Sequence, residues 1–137
     1  MTLNQSFDAS RAVFLQELQD AHAVEGGTLV VNAVNAPPEH FVQFLFWDQN
    51  LVAWEVGTYL DVGRIWRKQK IFLTLEQQAL LEAHGFRFDR KESPNYMRIV
   101  EIAGPETLQQ IVDESCEILL TVYGVDPASE LCFERIV

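Results

Sequence analysis

The stretch HFVQFLFWDQNLVAWEV, residues 40–56, constrains the fold of this chain most, because it reads as two strands joined by a short loop. A two-residue loop would place Phe44 opposite Glu55 and so mix a core position with a charge. A three-residue loop at 48–50 places Phe44 opposite Trp54 instead, and asparagine at its third position tolerates the left-handed conformation that such a loop needs. A one-residue slip moves every side chain to the other face, so the second register is favoured.

In this register one face of the hairpin is wholly apolar, with Val42, Phe44, Phe46, Val52, Trp54 and Val56. The opposite face carries Phe41, Gln43, Leu45, Trp47, Leu51, Ala53 and Glu55, with Trp47 opposite Leu51 and Gln43 opposite Glu55. A solvated face should be more polar than this. We therefore expect the first helix, the end of the chain, a second copy or a partner peptide to cover it. The candidate partner-binding residues are Phe41, Leu45, Trp47 and Leu51.

The remaining elements follow from periodicity and turn residues. Helices are predicted over 7–24, 74–86 and 105–123, and strands over 28–34, at RFDR and over 95–102, with ELCFERIV either a last strand or an edge segment. The order α-β-β-β-α-β-β-α predicts an α+β two-layer sandwich, in which helices pack on a mainly antiparallel sheet. A length of 137 residues is most simply one domain, 1–137.

Helix ends are also predicted from residue type. Ser6 or Asp8 is expected to cap the first helix, and Thr74 with Gln77 has the spacing of a capping box. The last helix should begin at Pro105. Its apolar stripe predicts a buried face made of Leu108, Ile111, Val112, Cys116, Leu119, Val122 and Tyr123.

The net charge of −10 is unevenly distributed, since residues 64–98 carry +4 and the segments on either side carry −7 each. Acidic flanks argue against a nucleic-acid protein, because phosphate binding needs a dominant positive field. The basic segment 64–70 is interpreted first as a solvated loop that balances acidic helices. It could also contact a protein partner or single-stranded nucleic acid. Its candidate residues are Arg64, Trp66, Arg67 and Lys68.

Catalytic chemistry is not indicated by any pattern in the sequence. His22, His40 and His84 lie in separate elements without ligand spacing, and the two cysteines form no zinc or disulfide pattern. Phosphate-binding and nucleophile motifs are missing as well. We therefore expect no enzyme activity, no cofactor and no metal.

Four segments resemble one known group of proteins: HFVQFLFWDQNLVAWEVGTYL, LTLEQQALLEAHGF, SPNYMRIV and TVYGVDPASEL. Their most specific parts are His84-Gly85-Phe86, Pro94-Asn95-Tyr96 and Tyr123-Gly124-Val125. Over residues 8–131 the chain resembles the type III secretion chaperone-like domains, and best the actinobacterial TY-Chap group, to which YbjN-type proteins are related. The resemblance implies a small, acidic, dimeric bacterial protein that binds other polypeptides.

Two functions follow as expectations. The first is a non-enzymatic protein-binding module, a chaperone-like or adaptor homodimer that holds a polypeptide partner. The alternative is a regulatory protein that contacts single-stranded nucleic acid through residues 64–70. The N-terminal MTLNQSFD lacks the features of a signal peptide and no segment is long enough to span a membrane, so we expect a cytoplasmic protein. The expected dimer contacts are Leu73, Leu75, Leu80 and Leu81.

Overall fold

A computed structural model describes residues 7–24, 26–48, 50–62, 68–89 and 93–136, and within these ranges the chain has the predicted α+β architecture. The elements are α1 (Asp8–His22), β1 (Thr28–Ala33), β2 (Phe41–Asp48), β3 (Leu51–Val56), β4 (Tyr59–Val62), β5 (Lys68–Ile71), α2 (Leu75–Ala83), β6 (Tyr96–Glu101), α3 (Pro105–Thr121) and β7 (Leu131–Ile136). Five strands form one antiparallel sheet in the order β6-β3-β2-β1-β7, while β4 and β5 pair separately. No helix in the described ranges is long and apolar enough to cross a membrane.

The predicted hairpin register is confirmed over most of its length. Gln43 pairs with Glu55, and Phe44 pairs with Trp54. The six residues of the predicted apolar face are all at most 1% exposed. They form the central part of the core, where the Phe44 ring lies 6.0 Å from that of Phe14 in α1, and the Trp54 ring lies 5.0 Å from that of Phe86.

The predicted pairing of Trp47 with Leu51 is wrong. Asp48 pairs with Leu51, and the register shifts between Phe46 and Asp48. A β-bulge places two residues of one strand opposite one residue of the other, and here it takes up Trp47 and shortens the connection. The Asp48 carboxylate accepts a hydrogen bond from the Asn50 N–H at 3.1 Å, which is a local turn interaction typical of aspartate. The turn therefore ends the ladder one residue later on β2 than predicted.

The start of α1 also differs from the prediction. Its N-cap is Phe7, in the left-handed conformation with φ +56°, and no side chain caps the helix. Asp8 is the first helical residue, and Ser6 lies outside the described residues. The Phe7 ring is buried, and its N–H donates to the Pro127 carbonyl at 2.9 Å. Burial of an aromatic ring and a tie to the segment before β7 thus replace side-chain capping here.

The capping box of α2 is confirmed. The Thr74 hydroxyl accepts from the Gln77 N–H at 3.1 Å, and the Gln77 side chain accepts from the Thr74 N–H at 2.8 Å. Gly85, just beyond the helix, has φ +86°, a conformation that glycine adopts without strain. These local signals fix both ends of the helix.

The predicted face of α3 is buried along its whole length. All seven residues of the stripe are at most 9% exposed, and Ser115 and Ile118 are fully buried beside them. The buried face is therefore wider than the predicted one. The helix packs on the sheet beside α1, and Arg11 of α1 contacts Asp113 at 2.7 Å.

The strand count differs from the predicted order in three places. The RFDR segment forms only an isolated bridge between Arg87 and Met97. The prediction missed β4 and β5, which pair from Tyr59 with Ile71 to Val62 with Lys68, so the basic segment runs into a strand rather than lying wholly in a loop. The terminal strand, which the sequence left open, pairs along all of β1 as β7. The extra strands leave the fold class unchanged.

Candidate functional site

The candidate functional site is the face of the five-stranded sheet that lies opposite the helices, which we call the outer face. Side chains alternate along a strand, so the registers assign its positions. It comprises Thr28, Val30 and Asn32 of β1, Phe41, Gln43 and Leu45 of β2, Leu51, Ala53 and Glu55 of β3, Met97, Ile99 and Glu101 of β6, and Cys132, Glu134 and Ile136 of β7.

One row of these residues crosses all five strands. In spatial order this outer row is Ile99, Ala53, Leu45, Thr28 and Ile136, each paired with the next in the sheet register. Four inter-strand spacings make the row about 19 Å long. Its only polar group is the Thr28 hydroxyl, so the row is a nearly continuous apolar stripe.

The large side chains of the row are open to solvent. Leu45 is 39% exposed, Ile99 55% and Ile136 50%, and Trp47 beside them at the end of β2 is 43% exposed. An antiparallel sheet that faces water normally presents polar residues there. A contiguous apolar patch on a protein surface usually marks an interaction site. The described helices pack on the other face, so they do not cover the row.

The four hairpin residues predicted to bind a partner do not form one cluster. Leu45, Leu51 and Trp47 lie together at the hairpin end of the sheet. Phe41 lies four residues back along β2, about 13 Å from Leu45, and is only partly exposed. The structure therefore brings three of the four together and adds Ile99 and Ile136 to them.

A polar pair separates Phe41 from the outer row. The predicted cross-strand contact is present, because Gln43 donates to the Glu55 carboxylate at 3.0 Å. The other carboxylate oxygen accepts from the Ser93 hydroxyl and, at 3.5 Å, from the Asn95 amide. Both oxygens of Glu55 are thus engaged, and the oxygen that accepts from Ser93 and Asn95 holds the segment before β6 against the sheet. The arrangement is a structural tie at the middle of the outer face.

The outer positions of the five strands carry charge of one sign. Glu101 and Glu134 lie exposed on the two edge strands, and these positions include no lysine or arginine, although the exposed Arg87 lies beside β6, where it forms an isolated bridge with Met97. Basic side chains of the same strands point to the helices instead. Arg98 of β6 lies over the Trp54 ring at 5.5 Å and contacts Glu114 at 2.8 Å. The outer face is therefore an apolar row with acidic residues at both edges.

Two open depressions adjoin the ends of the outer row. One, of about 350 Å³, is lined by Thr28 of β1, by Arg135 and Ile136 of β7, and by Ala21, Val24 and Gly27 at and just beyond the end of α1. The other, of about 390 Å³, is lined by Met97, Arg98 and Ile99 of β6 and by residues of the segment before it, namely Gly85, Arg87, Asp89, Ser93 and Asn95. Each depression offers room for a side chain at one end of the row.

The other predicted site residues are placed as follows. Arg64, Trp66 and Arg67 lie outside the described residues, and Lys68 begins β5 with its side chain outside the described part. The contact predicted for the basic segment 64–70 therefore stays a prediction.

The dimer contact stays a prediction, but two of its four residues cannot serve it. Leu73 and Leu81 are 5% and 0% exposed, because they pack in the core of their own chain. Leu75 and Leu80 are exposed at 83% and 36% and stay available. A dimer through α2 would therefore use these two residues alone.

The described histidines His40 and His84 and the thiol of Cys116, which lie away from the outer face, are engaged by neighbouring side chains or buried. The His40 ring stacks on Tyr123 at 4.9 Å, and burial lowers the pKa of His40, with Glu39 acting in the opposite direction. Burial raises the pKa of the Cys116 thiol to about 11. His84 lies 3.2 Å from Glu114. Within the described ranges no three His, Cys, Asp or Glu side chains are grouped to hold a metal ion.

Sequence reasoning missed Ile99 and Ile136 as members of the site. Both lie in segments that were predicted as strands, but the sequence does not say which strands lie beside the hairpin. The alternation in β6 would even mislead, because the charged Arg98 faces the helices while the apolar Ile99 faces outward. Long-range strand pairing supplies this information.

The geometry defines an α+β protein whose antiparallel sheet is apolar on the face that the helices cover and carries an apolar row on the other face. No protein-family model matches the chain, and neither a curated protein nor a solved structure matches it. The likeness to type III secretion chaperone-like domains stays an expectation that depends on the quoted segments.

Proposed function

We propose that this chain is a non-enzymatic protein-binding module, chaperone-like or adaptor in type, which holds a polypeptide partner on the outer face. The observation that supports the proposal is the outer row, with its exposed Leu45, Ile99 and Ile136 beside Trp47. Removing these side chains from water favours association, at roughly 25 cal/mol per Å² of apolar surface.

The composition of the face suits a polypeptide better than a small polar substrate. Tryptophan is among the residues that most often anchor protein interfaces, and Trp47 projects from the end of β2. Glu55, the carboxylate nearest the middle of the face, is already engaged by Gln43 and Ser93. The face therefore presents an apolar centre with charged residues at its margins, as protein interfaces usually do.

The proposal also includes a site of action and an assembly. We place the protein in the cytoplasm, where the unpaired thiols of Cys116 and Cys132 would stay reduced. A homodimer that uses the exposed Leu75 and Leu80 of α2 would leave the outer face of each copy open, because α2 packs in the helical layer, where the Gln77 side chain donates to the Val122 carbonyl at 2.7 Å. Membership in the type III secretion chaperone-like group belongs to the same proposal and is supported by the quoted segments alone.

Site-specific photo-crosslinking in the native cell tests the proposal. A photoreactive amino acid replaces Leu45, and in a control protein it replaces Val13, which is 48% exposed on α1, in the helical layer. We expect the probe at position 45 to give a defined adduct with another polypeptide. The probe at position 13 should not give that adduct.

The outcomes separate the alternatives. The proposal fails when position 45 gives no adduct, or when both positions give the same mixture of adducts. An adduct of twice the mass of the chain would identify a second copy as the occupant of the outer face, and the partner hypothesis would then be wrong.

A further inference from the structure

We propose that the segment held on the outer face is a basic amphipathic helix. This inference rests on the proposed function and names the chemistry of the partner. Three features of the face carry it, namely the direction of its main-chain groups, the length of the outer row and the sign of its charges.

The occupant must satisfy its own backbone hydrogen bonds. The main-chain N–H and C=O groups of β3, β2 and β1 are used on both sides by neighbouring strands, and they lie in the plane of the sheet. A segment on the face of a sheet therefore meets side chains alone. An extended peptide would leave its own polar groups against an apolar surface, which is costly, whereas a helix bonds these groups internally.

The length of the outer row suits a short helix. The row of about 19 Å corresponds to about 13 helical residues at 1.5 Å each. An apolar helical stripe repeats every turn, about 5.4 Å, which is close to the strand spacing of about 4.8 Å. The depression beside Ile136, with Ala21 and Val24 in its lining, gives room for a larger apolar side chain at one end of such a stripe. The depression beside Ile99 is lined mainly by polar and charged residues, so that end suits a polar side chain.

The charges select a basic partner and disfavour a second copy. Glu101 and Glu134 lie exposed on opposite edge strands, so they flank the row on both sides. Two copies stacked through this face would bring together two chains that each have a net charge of −10. Like charges across an interface oppose association, whereas lysine or arginine beside the apolar stripe of a helix would complement them.

The test uses two synthetic 14-residue peptides with leucine at helical spacing. One carries lysine beside the leucine stripe, and the matched peptide carries glutamate at the same positions. Binding of labelled peptide to the full chain is measured by fluorescence anisotropy, and helix formation in the mixture is measured by circular dichroism. We expect saturable binding of the lysine peptide, with a gain of helix and a loss of affinity at high salt. The glutamate peptide should not bind.

Substitutions locate the binding. Leu45→Ser and Ile99→Ser should each weaken the lysine peptide by about tenfold or more, as removal of a central apolar contact does. Glu101→Gln with Glu134→Gln should weaken it by about two- to fivefold and reduce the salt dependence, because exposed ion pairs contribute little. Val13→Ser, at an equally exposed position in the helical layer, should leave the affinity unchanged.

Several results would overturn the inference. Equal binding of the two peptides would show that the acids of the outer face do not select a basic partner. If Leu45→Ser and Ile99→Ser both leave the affinity for the lysine peptide unchanged, the peptide binds elsewhere on the protein. Absence of saturable binding, or binding without a gain of helix, would refute the helical partner. A partner adduct at position 45 together with any of these results would leave the proposed function standing and the basic helix wrong. If position 45 gives no partner adduct and the lysine peptide also fails to bind, the proposed function fails together with the basic helix.

Discussion

The two-faced sheet makes a sharp prediction for two consecutive residues of β2. Phe44 is fully buried between the rings of Phe14 and Trp54, at centroid distances of 6.0 and 5.9 Å. Leu45, the next residue, points to the outer face and is 39% exposed. Truncation of each side chain to alanine should therefore have very different effects on the free energy of unfolding.

The expected magnitudes follow from burial. Phe44→Ala removes a core ring and leaves a cavity, which costs about 3–5 kcal/mol. Leu45→Ala removes about three methylene equivalents, and each is worth about 0.8 kcal/mol when it is fully buried. Since Leu45 is 39% exposed, about three-fifths of this value applies, and we expect the free energy of unfolding to fall by about 1–1.5 kcal/mol. With a urea slope of about 2 kcal/mol/M, the unfolding midpoint should fall by about 2 M for Phe44→Ala and by about 0.5–0.75 M for Leu45→Ala.

Urea unfolding followed by far-ultraviolet circular dichroism measures both variants. Equal losses would refute the assignment of the two faces. A loss above 3 kcal/mol for Leu45→Ala would mean that the isolated protein already covers the outer face. If that loss grew with protein concentration, a second copy would be the cover, because only association makes stability depend on concentration.

Three further predictions test other parts of the molecule. Burial lowers the pKa of His40 below its usual value of 6.5, so as the pH falls the unfolded chain takes up a proton at this histidine before the folded chain does. The free energy of unfolding should therefore fall as the pH drops below about 6.5, and it should fall less in His40→Gln. A thiol reagent at pH 8 should label the exposed Cys132 and leave Cys116, with its pKa raised to about 11, unlabelled until the protein unfolds; rapid labelling of both in the native protein would contradict the placement of Cys116. Light scattering should give a dimer that Leu75→Ser with Leu80→Ser converts to a monomer, and a parent protein that is monomeric at micromolar concentration would remove the dimer.

The parts of the fold that the sequence predicts well are those set by local rules. The capping box at Thr74, the ends of α3 and the pairing of Phe44 with Trp54 each depend on residues close together in the chain. A pattern of apolar residues fixes the hairpin register because a slip would expose the core. These features could therefore be read without knowledge of the rest of the structure.

The features that sequence reasoning missed depend on contacts distant in the chain. Phe7 caps α1 with its backbone because its ring is buried and its N–H meets Pro127. Ile99 joins the outer row only because β6 pairs with β3. Leu81 reads as a candidate contact residue from the breadth of apolar positions on α2, yet it is fully buried in the core. In each case the local sequence pattern allows more than one position for the residue, and tertiary packing determines which one it takes.

The distribution of charge links the fold to the choice of partner. Arg98 contacts Glu114 at 2.8 Å and Arg135 contacts Glu17 at 3.1 Å, so basic side chains of both edge strands meet acids of the helical layer. Each of these partly exposed pairs stabilises the fold only modestly. They also place Arg98 and Arg135 on the helical side of the sheet, and in the part of the chain that the structure describes no ion pair engages Glu101 or Glu134 on the other side. Apolar contact alone would accept many helices, whereas these acids would speed the approach of the proposed basic helix and would oppose an acidic one.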